Sequence, residues 1–430
     1  MTGFRRQRVL DMDVVSGSVT SLDGNTGTEG YELVRVLVRV HEEPVGIVVV
    51  SPTGDSNLLD AVRGIALQRF RQRIDAHLQA DGHRTIGTAD ELRDVVDSCP
   101  QVVEEPPAGP LVTVAIPSLR NVQSTVTCIQ RVTAGSYDNL EVLVVDNDQN
   151  GQPLRAAIDR AFGHEPRVRY VHEPRTGVSF ARNRGLSEAG GDIVAFIDDD
   201  VLVDRRWLER LVTAFTNNPA PAPVACVTGS ILAAEMESRA QSWLEEFGGF
   251  NKGFDRQVYD LVNNRRPEAL YPFDAGRFGS GANMAFRTEI LRSFGGFATD
   301  LGPGTPTFGG EDIDALRRVI SSGYTLVYEP RSIVWHFHRR SDIAVRRQMY
   351  RYGVGLSALV TKWLIEKETR LPVLSRIPPG VVHVLKPSST KNESKSPSYP
   401  ALLTGLELVG LAMGPWAYLR SRYLRKGVAS

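Results

Sequence analysis

Gly190-Gly191-Asp192-Ile193-Val194-Ala195-Phe196-Ile197-Asp198-Asp199-Asp200-Val201 reads as a strand that ends in charge. Five apolar residues in a row, β-branched Ile and Val among them, predict a strand buried on both faces of a parallel sheet. Three carboxylates follow with no Lys or Arg between them. Like charges crowded at one strand end repel, so the run calls for a cation. Oxygen ligands on a short strand end suit a hard divalent ion, Mg2+ or Mn2+, better than zinc. The carboxyl ends of strands in an open α/β sheet are also where ligands bind. The alternative is a solvated acidic turn that caps the next helix, since Asp204 precedes the periodic run Trp207, Leu208, Leu211, Val212, Phe215.

Strands and helices alternate before this stretch. Val112–Ile116, Glu141–Val145 and Val168–Val171 read as strands, and Ser124–Ala134 and Ser179–Ala189 as helices. The pattern predicts an α/β fold, a doubly wound and mostly parallel sheet with right-handed crossovers. Pro117/Ser118, Asp146 and Asp198–Asp200 each fall just past a strand's carboxyl end, so they are expected to meet in one crevice. Downstream, 235–275 is rich in Gly, Phe, Asn and Arg and reads as an acceptor-side insertion. Gly279–Phe286 combines a loop with a strand, and Phe308-Gly309-Gly310-Glu311-Asp312 opens a helix carrying Ile313, Leu316, Val319 and Ile320 on one face. Leu326–Tyr328 and Ile333–Trp335 read as two further strands, the second ending at His336, before a helix with Ile343, Val345 and Met349.

The flanks differ in kind. Residues 1–105 are expected to form a small α+β domain, with strands at 31–40 and 46–50 and a helix over 58–78, and no cluster in it implies chemistry. Pro100, Pro106, Pro107 and Pro110 mark a linker. Beyond the domain at 111–355, residues 356–400 read as a helix and a Lys/Ser/Pro/Asn-rich flexible tether. Residues 401–426 are apolar and then basic. Glu407 and Pro415 interrupt the run, which suits a helix lying on the inner leaflet, a short span, or a helix packed on the protein.

Composition excludes some classes. Of 430 residues, 42% are hydrophobic and 23% charged, as in a globular protein, and Lys+Arg and Asp+Glu balance at 50 each, so no global field favours nucleic acid. Cys99, Cys128 and Cys226 fit neither a disulfide framework nor a zinc site. No apolar core follows Arg5, Arg6 and Arg8, so no signal peptide is expected and the chain is placed in the cytoplasm, peripheral at the inner face of the membrane.

Seven short motifs stand in order: Val-Ala-Ile-Pro-Ser (114–118), Val-Val-Asp-Asn (144–147), Gly-Val-Ser-Phe-Ala-Arg-Asn-Arg-Gly (177–185), Phe-Ile-Asp-Asp-Asp (196–200), Gly-Ala-Asn-Met (281–284), Gly-Glu-Asp (310–312) and Trp-His (335–336). In these, over about residues 111–355, the chain resembles glycosyltransferase family 2, inverting transferases with a GT-A fold. The resemblance implies metal-dependent transfer from a nucleotide-diphosphate sugar to a hydroxyl of a glycan or lipid-linked acceptor, by single displacement. It makes Asp198 and Asp200 ligands of Mn2+ or Mg2+, and residues at i and i+2 of an extended chain do face one side. Asp199 then faces the ribose or anchors a loop. His336 is the third ligand, with His338 as competitor. Pro117, Ser118, Asp146 and Arg182 line the donor site. The alternative for Asp146 is an Asx-turn after a strand, and for Arg182 a solvated helix face. Asp312 is the general base, and Glu311, Gly281 and Asn283 meet the acceptor. A catalytically silent binding module is the alternative, and a sugar-1-phosphate nucleotidyltransferase is disfavoured because no Gly-rich loop follows Ile116.

Overall fold

Continuous apolar runs become central strands, and the computed structural model describes residues 4–52, 57–95, 109–216, 222–248, 250–274 and 276–426. Cys99 and the linker prolines 100, 106 and 107 lie outside them. The N-terminal unit contains β1 (Gln7–Asp13), β2 (Val19–Thr20), β3 (Leu33–Val40) and β4 (Glu43–Val50), then α1 (Leu58–Ala80) and α2 (Ala89–Arg93). Its sheet order is β2-β1-β3-β4. Val34, Val36, Val38 and Val48 bury one face under Val62, Ala66 and Ile74 of α1. The other face is also covered. Leu37 packs on Leu232, Ile333 and Trp335 of the larger sheet, and Arg39 Nη2 reaches Asp204 Oδ2 at 2.6 Å. The unit therefore has its own core yet is joined to the rest over a whole face.

The larger sheet begins with β5 (Val112–Ser118), α3 (Val122–Thr133), β6 (Leu140–Asp146), α4 (Gln152–Phe162), β7 (Val168–His172), α5 (Val178–Glu188) and β8 (Ile193–Ile197). These strands pair in parallel as β8-β5-β6-β7. Val112, Val114 and Ile116 face Ile129 and Val132, while Ala115 and Phe196 face Leu186 on the opposite side. Then come β9 (Val201–Val203), α6 (Trp207–Thr216), β10 (Val224–Ala233), α7 (Arg239–Glu246), β11 (Gln257–Tyr259), β12 (Asn283–Arg287), α8 (Thr288–Ser293), α9 (Glu311–Ser321) and β13 (Thr325–His336). The full order is β11-β13-β10-β12-β8-β5-β6-β7, with β9 on β13, and the sheet is mixed because β12 runs antiparallel to β8 and β10.

Two registers position the site. Asn283 pairs with Ile197, so the antiparallel β12 starts where β8 ends. His336 pairs with Val201, so the end of β13 lies beside the acidic run. The two short strands read at 326–328 and 333–335 are one strand. A register shift opposite Gly229/Ser230 absorbs Pro330, which has no N–H to give the ladder.

Four helices close the chain: α10 (Asp342–Ile365), α11 (Lys367–Leu374), α12 (Ile377–Leu385) and α13 (Ala401–Lys426). The stretch expected to be a flexible tether is turned and anchored. Ser394 Oγ donates to the Glu246 carbonyl at 2.9 Å, and Asn392 Nδ2 to that of Val384 at 3.1 Å. Lys391 Nζ meets Glu407 Oε2 at 2.8 Å, so the carboxylate that interrupts the apolar run of α13 is buried and paired. Among the described residues, α13 alone is long and apolar enough to cross a membrane, and a third of that stretch is buried within the protein. It packs lengthwise on α10 through glycines: a Cβ at Gly410 would strike the Tyr350 carbonyl, and one at Gly414 would lie 2.6 Å from that of Val354. Gly410→Leu is expected to lower the unfolding midpoint, at a cost of about 2–3 kcal/mol, and to expose α13 to protease. Thermal unfolding and limited proteolysis measure both.

Candidate active site

The carboxyl end of the sheet opens into a cleft of about 2140 Å³ whose lining includes Asp198, Asp200, His336, Glu311, Asp312 and Arg339. Ligand atoms of Asp198, Asp200 and His336 all lie within 4.8 Å of one another, and His336 Nε2 is 3.5 Å from Asp200 Oδ1. Burial, with Asp198 adding to it, raises the Asp200 carboxyl, and His336 opposes that rise. Burial lowers the His336 imidazole, which favours the neutral ring that a metal needs. Two carboxylates and one imidazole, all partly open to the cleft, fit Mn2+ or Mg2+ with positions left for a ligand.

His338 is not the third member. It is buried, with Nε2 3.0 Å from Glu245 Oε1 and Nδ1 3.0 Å from His336 Nδ1. Arg35 Nη2 donates to Glu245 Oε2 at 2.8 Å. Burial works to raise Glu245, but His338 and Arg35 hold it below its ordinary value. Glu245 thus holds the His338 ring, and the His338 ring in turn holds that of His336 through the Nδ1–Nδ1 contact, which orients His336 Nε2 toward Asp200. The sequence reading missed Glu245 and Arg35, since nothing local links His338 to Glu245, 93 residues earlier, or Glu245 to Arg35, 210 residues before it. Arg339 was missed too, although the His-Arg-Arg run at 338–340 signals it. Its charge acts to lower the Asp200 carboxyl.

Asp199 turns the other way. Its oxygens accept from Ser118 Oγ at 2.6 Å and Asn121 Nδ2 at 3.2 Å, and burial pushes its carboxyl up to about 6. It anchors the loop after β5. Pro117 and Ser118 belong to β5 itself, where pairing with β8 has already stopped at Ala115 and the missing proline N–H costs nothing. Ser118 is buried and bonded to Thr125 and Asp199.

Three expected contact residues are inward-facing. Asp146, assigned to the nucleoside, is 1% exposed and accepts from Tyr170 Oη and the Asp148 N–H, both at 2.9 Å, which is the Asx-turn geometry. Asn283, assigned to the acceptor, is fully buried. It donates to the Ser230 and Ser332 carbonyls and accepts from Trp207 Nε1. Glu311, also assigned to the acceptor, is 4% exposed and takes Arg182 Nη1 at 2.7 Å. Burial, with Asp312 beside it, pushes Glu311 up to about 7. Arg182 is no solvated helix face. It bridges Glu311, Asp198 Oδ1 (3.3 Å) and the Gly281 carbonyl (3.2 Å). Arg182→Ala strands a buried carboxylate and is expected to cost about 3 kcal/mol, whereas Arg182→Met with Glu311→Gln recovers most of it. Urea unfolding of both variants reads the difference.

Asp312 occupies the second residue of α9, half-exposed to the cleft. Its Oδ2 accepts from the Gly281 N–H and its Oδ1 from that of Ile313, both at 2.8 Å. Gly281 lines the cleft and is also a scaffold: both its backbone groups are engaged, and a Cβ would lie 2.5 Å from Arg182 Nη2.

The carboxyl end of this α/β sheet therefore carries a carboxylate–imidazole cluster, with the further carboxylate of Asp312 in the same cleft. Residues 113–295 match the family model "Glycosyl transferase family 2", and the chain carries a domain of that family. It is 29% identical over 323 residues to the pre-mycofactocin glycosyltransferase of Mycobacterium tuberculosis, covering 73% of this chain and 60% of that protein. It is 25% identical over 195 residues to a glucosyl-dolichyl phosphate glucuronosyltransferase of Haloferax volcanii, covering 44% of this chain and 56% of that one. A mannosyltransferase from Pyrobaculum calidifontis, solved with GDP-Man and Mn2+, superposes with a TM-score of 0.49 at 18% identity, covering 73% of this chain and 89% of that chain. The chain thus spans about 60% of the length of its mycobacterial relative.

Proposed function

We propose that this chain is a metal-dependent inverting glycosyltransferase, moving a sugar from a nucleotide-diphosphate donor to an acceptor hydroxyl. The observation that carries the reading is the meeting of Asp198, Asp200 and His336 in one cleft with Asp312. Asp198, Asp200 and His336 would hold Mn2+ or Mg2+, which when bound neutralises the leaving diphosphate. Asp312 takes the acceptor's proton as its oxygen attacks the anomeric carbon and the bond to the diphosphate breaks. The Gly281 and Ile313 N–H groups hold that carboxylate in place at the cleft.

The cleft supports an extended acceptor. Its volume is at least twice that of common ligand pockets, and α12 and α13 contribute Val381, Val384, Leu385, Leu408 and Leu411 to its walls. This suits a glycan or lipid-linked acceptor. The Haloferax relative's name includes a dolichyl phosphate. α13 also exposes Leu402, Val409 and Leu419, with Arg422 near its end, which suits contact with the inner leaflet. The test is a panel of nucleotide sugars with and without Mn2+. Metal-dependent release of nucleoside diphosphate from one donor is expected, and no release from any donor favours a silent binding module.

A further inference from the structure

A second cluster with metal-ligand chemistry lies in the N-terminal unit, away from the cleft. Three of the chain's eight histidines, His41, His77 and His83, fall there. His77 and Asp81 are four residues apart at the end of α1 and its C-cap, a spacing that brings both to one face. His41 comes from the two-residue turn between β3 and β4. One ligand atom each of His41, His77 and Asp81 lie within 4.8 Å of one another. His41 Nδ1 is 3.0 Å and His77 Nε2 3.1 Å from Asp81 Oδ2. The His83 ring lies 6.0 Å from that of His41, centroid to centroid.

The way His41 reaches the cluster is unusual. Both turn residues, His41 (φ 49°) and Glu42 (φ 66°), are in the left-handed region, where a hairpin turn of this length favours Asn-Gly. Asp13 Oδ2 accepts the Glu42 N–H at 2.8 Å and holds the corner in place. Charge does not forbid a cation: Asp13 and Asp81 act on His77 against His41 and Arg331, while burial lowers the imidazole toward its neutral form.

We propose that His41, His77 and Asp81, with His83 as fourth donor, bind a Zn2+ ion. Imidazole and carboxylate ligands at a buried, closed position are what a structural zinc site uses. The ion would fasten the β3–β4 corner to the end of α1. The competing explanation is a hydrogen-bonded network in which Asp81 bridges two rings. The two differ in what His77→Gln does, since Gln can still donate to Asp81 but brings no imidazole.

The test uses the full chain carrying Asp200→Ala and His336→Ala, so that metal in the cleft does not interfere. After chelation, zinc is returned and bound metal is counted by elemental analysis. One zinc per chain is expected, with a rise in the unfolding midpoint on zinc addition. Adding His77→Gln or Asp81→Asn should abolish both. Co2+ in place of zinc should give the strong visible absorption of a four-coordinate site, a readout that needs no further variant. No retained zinc, a Co2+ spectrum without that absorption, or full zinc retention by a folded His77→Gln chain would each overturn the proposal.

Discussion

Asp312→Asn is expected to slow glycosyl transfer by about 10²–10⁴-fold while donor affinity stays close to that of the parent chain. The substitution removes the ability to accept a proton and little else. Asp312 keeps its place through the Gly281 and Ile313 N–H groups. The asparagine oxygen can serve one of these, and the other lies at a half-exposed position that water reaches, so about 1 kcal/mol of stability is lost at most. Single-turnover transfer with saturating acceptor measures the chemical step, and donor titration measures binding. Near-normal turnover would remove Asp312 as base. Glu311 is the neighbour such a result would implicate, since burial raises its carboxyl. Yet Glu311 is buried against Arg182. Glu311→Gln should therefore act on stability and leave the rate within a few-fold.

Asp200→Ala should abolish the dependence of rate on Mn2+ and lower kcat/KM by about 10²–10³-fold, the scale of losing one group that stabilises departing charge. The contrast with Asp199 sharpens the expectation. The two side chains are adjacent in sequence, but Asp199 holds Ser118 and Asn121 while Asp200 faces His336. Asp199→Asn keeps an acceptor for Ser118, so its Mn2+ titration should follow the parent curve. A parent-like titration in Asp200→Ala would dissolve the proposed metal site.

The parallel half of the sheet was legible because a strand buried on both faces reads as an unbroken apolar run, as at Ile193–Ile197. Where a strand is kinked, the signal breaks. Glu329-Pro330-Arg331-Ser332 hides the continuity of β13, and only the partner strand reveals it. β1 went unread because Gln7–Asp13 holds only three apolar residues, Val9, Leu10 and Met12, and they do not keep a period of two. In the site, position along the chain was legible and side-chain direction was not. Asp146 ends β6, Asn283 opens β12 and Glu311 opens α9. Which way each turns is set by Tyr170, by Trp207 with Ser230 and Ser332, and by Arg182, partners 24 to 129 residues distant. The acidic run gave the same lesson on a smaller scale, since alternation separates Asp199 from its neighbours but says nothing of Ser118.

The glycine seam between α10 and α13 gives the terminal helix two neighbourhoods at once. Leu408, Met413 and Trp416 line the chamber and are also exposed, beside the exposed Val409 and Leu419. On the proposed reading, an acceptor carried on a lipid would meet one apolar rim that belongs both to the chamber wall and to the outer surface of this helix. Delivery becomes a matter of slipping around an edge, with no need to lift the carrier out of its surroundings.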